Sequence, residues 1–202
     1  MSKLTERRSI RDYDPDVKIS RAEMETILAE TSRAPSSMNM QPWRFVVVET
    51  EAGKARLETA LNGNRRQLQT SAAMIVIFTD LNKYDYAETI YNTAVKQGLM
   101  PEDVRDKQLD SIANMVPKMS TDRIERGGLV DCGLAAMQLM HVAREHGYET
   151  CPIGGFKHGE IAEALGLDPD RYKPVMIVSI GKAVEEGYPS VRLDVKDTTT
   201  WL

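Results

Sequence analysis

Three arginines and a serine stand close together near the start of the chain, in the run Arg7-Arg8-Ser9-Ile10-Arg11. A guanidinium group donates a fork of hydrogen bonds that matches phosphate, and a serine hydroxyl or a free backbone N–H can complete an anion cradle. If the run forms a helical turn, Arg7 and Arg11 share one face. Because short basic runs are common, a solvated basic segment is the alternative interpretation of this run.

Hydroxyl and amide side chains are concentrated in a loop between Pro35 and Trp43, where they are Ser36, Ser37, Asn39 and Gln41. An amide both donates and accepts hydrogen bonds, which suits the polar edge of a heterocycle. Farther along, residues 153–156 read Ile-Gly-Gly-Phe and predict a tight turn, over which a flat ring can approach the backbone closely. Each segment could also be an ordinary turn without a ligand.

Composition and charge narrow the class of protein. The 202 residues carry a net charge of −4, which argues against nucleic acid as a main partner and makes the basic run a local feature. Cys132 and Cys151 have no ligand-like spacing, so we expect a reducing compartment without disulfides or zinc. Charged residues interrupt the first ten positions, and no apolar stretch is long enough to span a membrane. We therefore expect a cytoplasmic protein.

The apolar pattern predicts the elements that must position these residues. Strands are expected at 45–48, 73–78, 149–152 and 175–180, and helices at about 4–8, 20–32, 50–61, 64–69, 129–143 and 160–165. The 73–78 strand is apolar throughout and should be covered on both faces. The 129–143 helix is apolar nearly all round and should be central and buried.

Two further regions complete the pattern. The polar region from about 84 to 120 predicts an inserted helical excursion, and residues 184–202 predict an irregular C-terminal arm that packs against a partner. His141 and Glu145 are four residues apart on a predicted helix, but no third ligand lies near them in the sequence. We therefore expect no metal site, and no spacing indicates a nucleophile with its base.

Taken together, these segments resemble the FMN-dependent nitroreductase family. The resemblance rests on the Arg-Arg-Ser-Ile-Arg start, the loop of residues 34–43, the Asp131–Gly133 region that opens the long apolar helix, residues 152–156 and the segment from Gly181 to Arg192. It implies one domain over residues 1–202 with an α+β sandwich fold, in which helices flank a mixed central sheet. It also implies an intertwined homodimer with two FMN sites at the subunit interface.

The same resemblance implies roles for individual residues. The FMN phosphate and ribityl chain would be held by Arg7, Arg8, Ser9 and Arg192. The isoalloxazine edge would be met from the opposite subunit by Pro35, Ser36, Ser37, Asn39 and Gln41. The pyrimidine end would meet Asn64 and Gln67, and N5 would face the backbone of Gly154 and Gly155 in the segment that begins with Pro152 and Ile153.

Two positions depart from the pattern of the family. Many relatives carry Lys where this chain has Gln67, which removes a positive charge near the flavin N1 and C2 carbonyl and leaves Arg11 as the cation expected there. Some relatives carry Glu where this chain has Gly154, so this chain has open space over the ring. Substrate preference therefore cannot be copied from those relatives.

The resemblance implies an oxidoreductase that works in two half-reactions. NAD(P)H would reduce the bound FMN and leave, and a small electron acceptor such as a nitroaromatic or a quinone would then be reduced. Because the flavin carries the chemistry, no side chain is named as an obligatory acid or base. The alternatives are a non-catalytic flavin-binding or sensor protein on the same scaffold, and an interaction module whose basic start meets an acidic partner.

Overall fold

The computed structural model describes residues 3–202 and contains one four-stranded sheet. The strands are β1 (Trp43–Val48), β2 (Ala73–Asp80), β3 (Glu149–Ile153) and β4 (Tyr172–Gly181), in the order β1-β2-β4-β3. The helices are α1 (Lys3–Glu6), α2 (Arg21–Thr31), α3 (Glu51–Glu58), α4 (Arg65–Thr70), α5 (Ala87–Lys96), α6 (Glu102–Met115), α7 (Thr121–Glu145), α8 (Ile161–Ala164) and α9 (Val195–Thr198). The predicted α+β class is confirmed, and every predicted strand is present with slightly wider bounds. No helix in the described range is long and apolar enough to cross a membrane.

The expectation of a mixed sheet is wrong for the strands themselves, because all three strand pairs are antiparallel. The connection from β1 to β2 leaves and returns at the same end of the sheet, since Val48 pairs with Met74. A connection of that kind makes the two strands antiparallel. Beside β3 one isolated parallel bridge joins Ser9 to Thr150.

Strand β2 is buried along its whole length, as its apolar sequence predicts. Alternate side chains point to opposite faces of a strand, so Ile75 and Ile77 pack with α2 and α7, whereas Met74 and Val76 pack with α3 and α8. The chain therefore forms three layers, with helices on both faces of the sheet. The predicted helical excursion is confirmed as α5 and α6, bounded by the short 3₁₀ helices Lys83–Tyr86 and Val116–Lys118.

Helix α7 is only half buried, which corrects the expectation that its 129–143 segment is buried all round. Ala135, Leu139 and Ala143 pack on the sheet. The opposite face leaves four large apolar side chains exposed, namely Leu129, Val130, Leu134 and Met137. Within one chain the helix has one sheet to pack against, so only one of its two apolar faces is covered.

A glycine sets how closely α7 approaches β2. A Cβ added to Gly128 would lie 2.0 Å from Thr79 Oγ1, whereas a Cβ added to the neighbouring Gly127 would lie 3.8 Å from Lys83 Nζ. Thr79 is buried and β-branched, so it has little freedom to move aside. The close contact between helix and strand therefore depends on Gly128.

We expect Gly128→Ala to lower the free energy of unfolding by about 2 kcal/mol, because overpacking outweighs the better helix propensity of alanine. Gly127→Ala is the matched control, and it should raise stability by up to about 1 kcal/mol. Urea denaturation at one fixed protein concentration measures both changes. Equal effects of the two substitutions would contradict the role of Gly128.

Candidate functional site

Five of the predicted site residues line one cleft of about 250 Å³. They are Arg7, Arg8, Ser9, Arg11 and Arg192, and the other lining residues are Tyr188, Pro189 and Ser190 of the C-terminal arm. Four arginines therefore line one opening, although residues 11 and 192 are far apart in the sequence. Such a concentration of positive charge favours a small anion.

The N-terminal segment is held beside β3 by backbone bonds rather than by a helix. Ile10 N–H donates to the Thr150 carbonyl at 3.1 Å, and the buried Tyr13 hydroxyl donates to the Ile10 carbonyl at 2.7 Å. Helix α1 ends at Glu6, so the expected helical turn carrying Arg7 and Arg11 on one face is wrong. The physical reason is that the backbone around Ser9 bridges to β3 and cannot also form helical bonds.

The arginines of the cleft differ in how they are paired. Arg7 Nη1 is buried and has no hydrogen-bond partner among residues 3–202. Arg11 Nη1 instead donates to the Ser9 carbonyl at 3.1 Å, and its guanidinium lies 5.6 Å from the ring centre of Tyr188. A buried unpaired donor is costly, and an anion in the cleft would pair with it. The residues present therefore fit a phosphate group.

Gln67 and the cleft residues Ser9, Arg7 and Arg11 all lie close to the Cys151 thiol of β3, so Gln67 is near the cleft. Burial raises the pKa of the Cys151 thiol, while the charges of Arg11 and Arg7 and hydrogen bonding by Gln67 and Ser9 act in the opposite direction. Gln67 is itself buried, on the inner face of α4. The structure thus brings the basic segment, α4 and the end of β3 together.

The predicted turn after β3 is next to Asn64. Ile153 is the last residue of the strand, and Asn62 N–H donates to the Gly155 carbonyl at 3.1 Å. Asn64 has a left-handed backbone with φ of 58°, and its Oδ1 would lie 3.6 Å from a Cβ on Gly155. Pro152 is half-buried and Ile153 is buried in β3, whereas Gly154 and Gly155 are exposed just beyond the strand.

Gly154 provides open space at this turn. A Cβ added there would meet no atom within 4 Å among the described residues. The expectation that this position leaves room for a ring is thus compatible with the local geometry.

The amide loop from Pro35 to Gln41 has an unusual backbone. Met38, Asn39 and Gln41 all have positive φ, between 45° and 56°. A non-glycine residue in the left-handed region costs roughly 1–3 kcal/mol and persists only where the surroundings enforce it. Strain of this kind is concentrated at functional sites, which supports the interpretation of the loop as a binding segment.

Neighbouring elements impose that conformation. Met40 is buried among Ala87, Tyr91 and Ile112 of the helical excursion. The Tyr91 hydroxyl donates to the Met38 carbonyl at 2.9 Å, and Gln41 N–H donates to Ser36 Oγ at 3.0 Å. The excursion therefore has a clear structural role as the support of the loop.

The sheet separates the loop from the basic cleft. Thr150, beside the cleft, is three strands away from β1 and level with its Val48 end, whereas the loop precedes Trp43 at the other end. With strands about 4.8 Å apart and residues about 3.3 Å apart along a strand, the two sites are roughly 25 Å apart. One chain thus places the two groups of predicted residues on opposite corners of its sheet.

A buried carboxylate ties the end of the loop to the sheet. Asp80 receives two hydrogen bonds from Arg171, at 2.8 and 2.9 Å, and Arg44 Nη2 lies 3.1 Å from its Oδ2. Arg44 Nη1 donates to the Gln41 carbonyl at 3.0 Å, and its guanidinium stacks on Tyr86. Burial raises the pKa of Asp80, but the bonds from Arg171 and Asn82 and the two positive charges outweigh it and hold that pKa below its usual value.

Several of these residues were missed by sequence reasoning. Asp80 and Arg171 are 91 positions apart, and no motif links them. Asp80 comes two residues after the predicted apolar strand 73–78 and is the last residue of β2, and this position was the one available signal of a carboxylate at the end of the sheet. Within the described residues, no group of three or more His, Cys, Asp or Glu side chains could hold a metal ion.

Comparison with known proteins identifies close relatives. The family model described as "Nitroreductase family" matches residues 4–182. The candidate NAD(P)H nitroreductase YdgI of Bacillus subtilis is 49% identical over 96% of this chain and 93% of its own length. A crystal structure of an Exiguobacterium sibiricum protein in complex with FMN is 52% identical, with a TM-score of 0.96 over 98% of this chain and 95% of that one. An enone reductase of Lactiplantibacillus plantarum is 34% identical over 97% of this chain and 91% of its own.

We expect Asp80→Asn to lower the free energy of unfolding at pH 7 by about 3 kcal/mol, because it removes the buried partner of two arginines. The native pKa of Asp80 is lowered, so this stabilisation is full above the unfolded pKa of about 3.9 and is lost as the pH falls through the native value. Denaturation from pH 7 down to acid should show the two proteins converging.

Asp103→Asn is the control, since Asp103 forms an exposed ion pair with Lys107 and should change stability by about 0.5 kcal/mol or less. A difference between Asp80→Asn and the wild type that does not depend on pH would contradict the role assigned to the carboxylate.

Proposed function

This chain belongs to the nitroreductase family, and we propose that it is an FMN-dependent oxidoreductase that takes electrons from NAD(P)H and reduces nitroaromatic, quinone or similar acceptors. The observation that carries the proposal is the basic cleft with the buried, unpaired Nη1 of Arg7. An experiment that tests it directly is an absorbance spectrum of the purified protein before and after anaerobic addition of NADPH. Flavin absorbance that NADPH bleaches supports an enzyme, whereas flavin absorbance that no pyridine nucleotide bleaches would favour a non-catalytic flavin protein.

The phosphate end of FMN belongs in the cleft. Arg7, Arg8 and Arg192 would hold the phosphate, because guanidinium forks match its oxygens. Ser9 would bond to the phosphate or the ribityl chain. Arg11 is the remaining cation of the cleft. The proposal that it compensates near flavin N1 for the lysine missing at Gln67 requires Arg11 to leave its contact with Tyr188.

The ring end of FMN would extend along the surface from α4 to the turn after β3. Gln67 and Asn64 would meet the pyrimidine edge with amide donors and acceptors. Pro152, Ile153, Gly154 and Gly155 would line the ring, with the open space at Gly154 admitting nicotinamide and acceptor in turn. Bound FMN supplies the redox chemistry, passing to the acceptor the electrons that NAD(P)H delivers. The chain's own residues bind and orient the reactants, and none is assigned as an obligatory proton donor.

We further propose that the enzyme works as an intertwined homodimer with an FMN site at each interface. The loop residues Pro35, Ser36, Ser37, Asn39 and Gln41 would complete the flavin site of the other subunit. The support is geometric, because roughly 25 Å of sheet separates the loop from the cleft of its own chain. A second copy of the chain brings the two groups together.

Two unpaired surfaces fit such a dimer. The exposed apolar face of α7 would be buried against the second copy, since its four large side chains form a continuous stripe at helical spacing. Strand β1 is paired only with β2 among the described residues, and a groove of about 350 Å³ runs between it and α2. The C-terminal arm carries Val191, Leu193 and Trp201 in exposed positions and is the proposed occupant of that edge.

We propose a cytoplasmic location because the two cysteines are not joined in a disulfide. Cys132 and Cys151 are both free and buried, as expected in a reducing compartment.

We expect Arg7→Ala to weaken FMN binding by about 1.5–3 kcal/mol, the scale of a hydrogen bond to a charged group. Arg56→Ala is the matched control, because Arg56 is an exposed arginine of α3 that donates to the Ala164 carbonyl, lines neither the cleft nor the groove beside β1, and should leave FMN affinity unchanged. Fluorescence titration of the apoprotein with FMN measures both. Equal affinities of Arg7→Ala and wild type would contradict the phosphate cleft.

We expect Leu134→Glu to dissociate the dimer and to release FMN at the same protein concentration, because the loop of the second subunit is lost with it. Leu99→Glu is the control, since Leu99 is also an exposed leucine, 76% exposed against 45% for Leu134, but it follows the end of α5 and is not part of the α7 face. Sedimentation velocity with detection at the flavin wavelength reports both mass and cofactor. A flavin-bound monomer would refute the shared site.

A further inference from the structure

A buried ion pair lies directly beneath the loop. The side chains of Lys83 and Asp131 are 2% and 6% exposed, and Lys83 Nζ is 3.8 Å from Asp131 Oδ2. Asp131 Oδ1 accepts a hydrogen bond of 3.0 Å from Ser37 N–H, at the start of the loop's short 3₁₀ helix. The pair thus joins α7, the entry to the helical excursion and the loop.

Fold stability is a weak explanation for this pair. Removing two charges from water is expensive, and apolar residues of the same volume often stabilise a protein as well or better. Asp131 Oδ2 has no hydrogen-bond partner within the described residues, so the carboxylate is not fully satisfied. Lys83 Nζ has a second contact, a hydrogen bond of 3.3 Å to the Ile124 carbonyl. The hydrogen bond that Asp131 does accept leads to the loop.

The loop needs such an anchor. Its residues Met38, Asn39 and Gln41 are left-handed, and the sequence contains no glycine there to make that conformation easy. Tyr91 fixes the Met38 carbonyl and Arg44 fixes the Gln41 carbonyl, but both bonds lie after the first residue of the 3₁₀ helix. Asp131 fixes that first residue, Ser37.

We propose that Asp131 is a positioning residue, which holds the Pro35–Gln41 loop in its strained conformation for the flavin of the second subunit, with Lys83 as its buried counter-charge. The proposal rests on the proposed function, because the loop is assigned to FMN there. Asp131 acts through the backbone of Ser37 and does not touch the cofactor. Loss of the bond lets the loop relax toward right-handed conformations and moves its amides away from the ring edge.

The sharpest test removes only the donor. Ser37→Pro deletes the N–H, and proline suits the first position of a helix. The preceding Ser36 is already extended, with φ of −144° and ψ of 157°, as a residue before proline requires. Ser37→Ala is its matched control, because it removes the hydroxyl and keeps the N–H.

A second pair of variants tests the acceptor. Asp131→Asn keeps an oxygen for Ser37 but removes the charge, and Asp131→Ala removes both. Asp122→Asn is the matched control on the same helix, where Asp122 is exposed and paired with Arg126.

The readouts are FMN affinity, the midpoint potential of bound FMN, the separate values of kcat and KM, and amide hydrogen exchange across residues 38–41 in the full chain. We expect Ser37→Pro to bind FMN about tenfold more weakly than Ser37→Ala, as for loss of one charge-assisted hydrogen bond. Asp131→Ala should weaken FMN binding at least as much as Ser37→Pro does. The FMN affinity of Asp131→Asn should lie between those of Asp131→Ala and the wild type. In each, exchange at residues 38–41 should accelerate without a matching loss of global stability.

The outcomes separate the two proposals. Wild-type protein that binds no FMN overturns the proposed function and the positioning role with it. Wild-type protein that binds FMN, together with equal affinities, potentials and exchange rates for Ser37→Pro and Ser37→Ala, overturns only the positioning role. If Asp131→Ala does not fold, the comparison at Ser37 still decides the question.

Discussion

The central strand β2 is the constraint on which the rest of the structure depends. It is buried along all of its length, so each face needs a helical layer and each edge needs a strand. Because β1 lies on one side and β4 with β3 on the other, the segments attached to the outer strands are kept apart. The Pro35–Gln41 loop enters β1, and the basic N-terminal segment lies beside β3. The width of the sheet therefore keeps the loop and the basic segment of one chain far apart.

That separation accounts for two features that have no evident role within a single chain. Helix α7 is apolar on two faces, although one sheet can cover only one of them. The loop has a strained backbone and several supports, although it lies far from the cleft of its own chain. Both features make sense if the molecule is complete only as two copies. The buried Lys83–Asp131 pair fits the same explanation. Its one hydrogen bond to the loop, from Ser37 N–H to Asp131, would hold the loop in place for contacts with the second copy.

Charge is used differently at the two ends of the sheet. At the Trp43 end, Asp80 is enclosed by Arg44 and Arg171, and the three groups satisfy one another. At the opposite corner four arginines meet, and the buried Nη1 of Arg7 has no partner in the described range. Arginines that are paired with a carboxylate stabilise the fold, whereas the unpaired Nη1 of Arg7 leaves a donor for an anion. The distinction between scaffold and site thus follows from pairing and not from residue type.

The sequence by itself determined the elements and most of the chemistry. A continuous apolar run located β2, apolar residues at helical spacing located α2, and a segment apolar nearly all round located most of α7, because local burial leaves a local signature. It did not determine strand direction, the end of α1 at Glu6, or the partner of Asp80, since these depend on backbone and side-chain contacts between residues far apart in the chain. The pairing of Ser9 with Thr150 replaced a helical turn that local sequence allowed. Only the tertiary structure decided that the loop and the cleft lie on opposite corners, because that distance is set by the order of strands in the sheet, which no local pattern encodes.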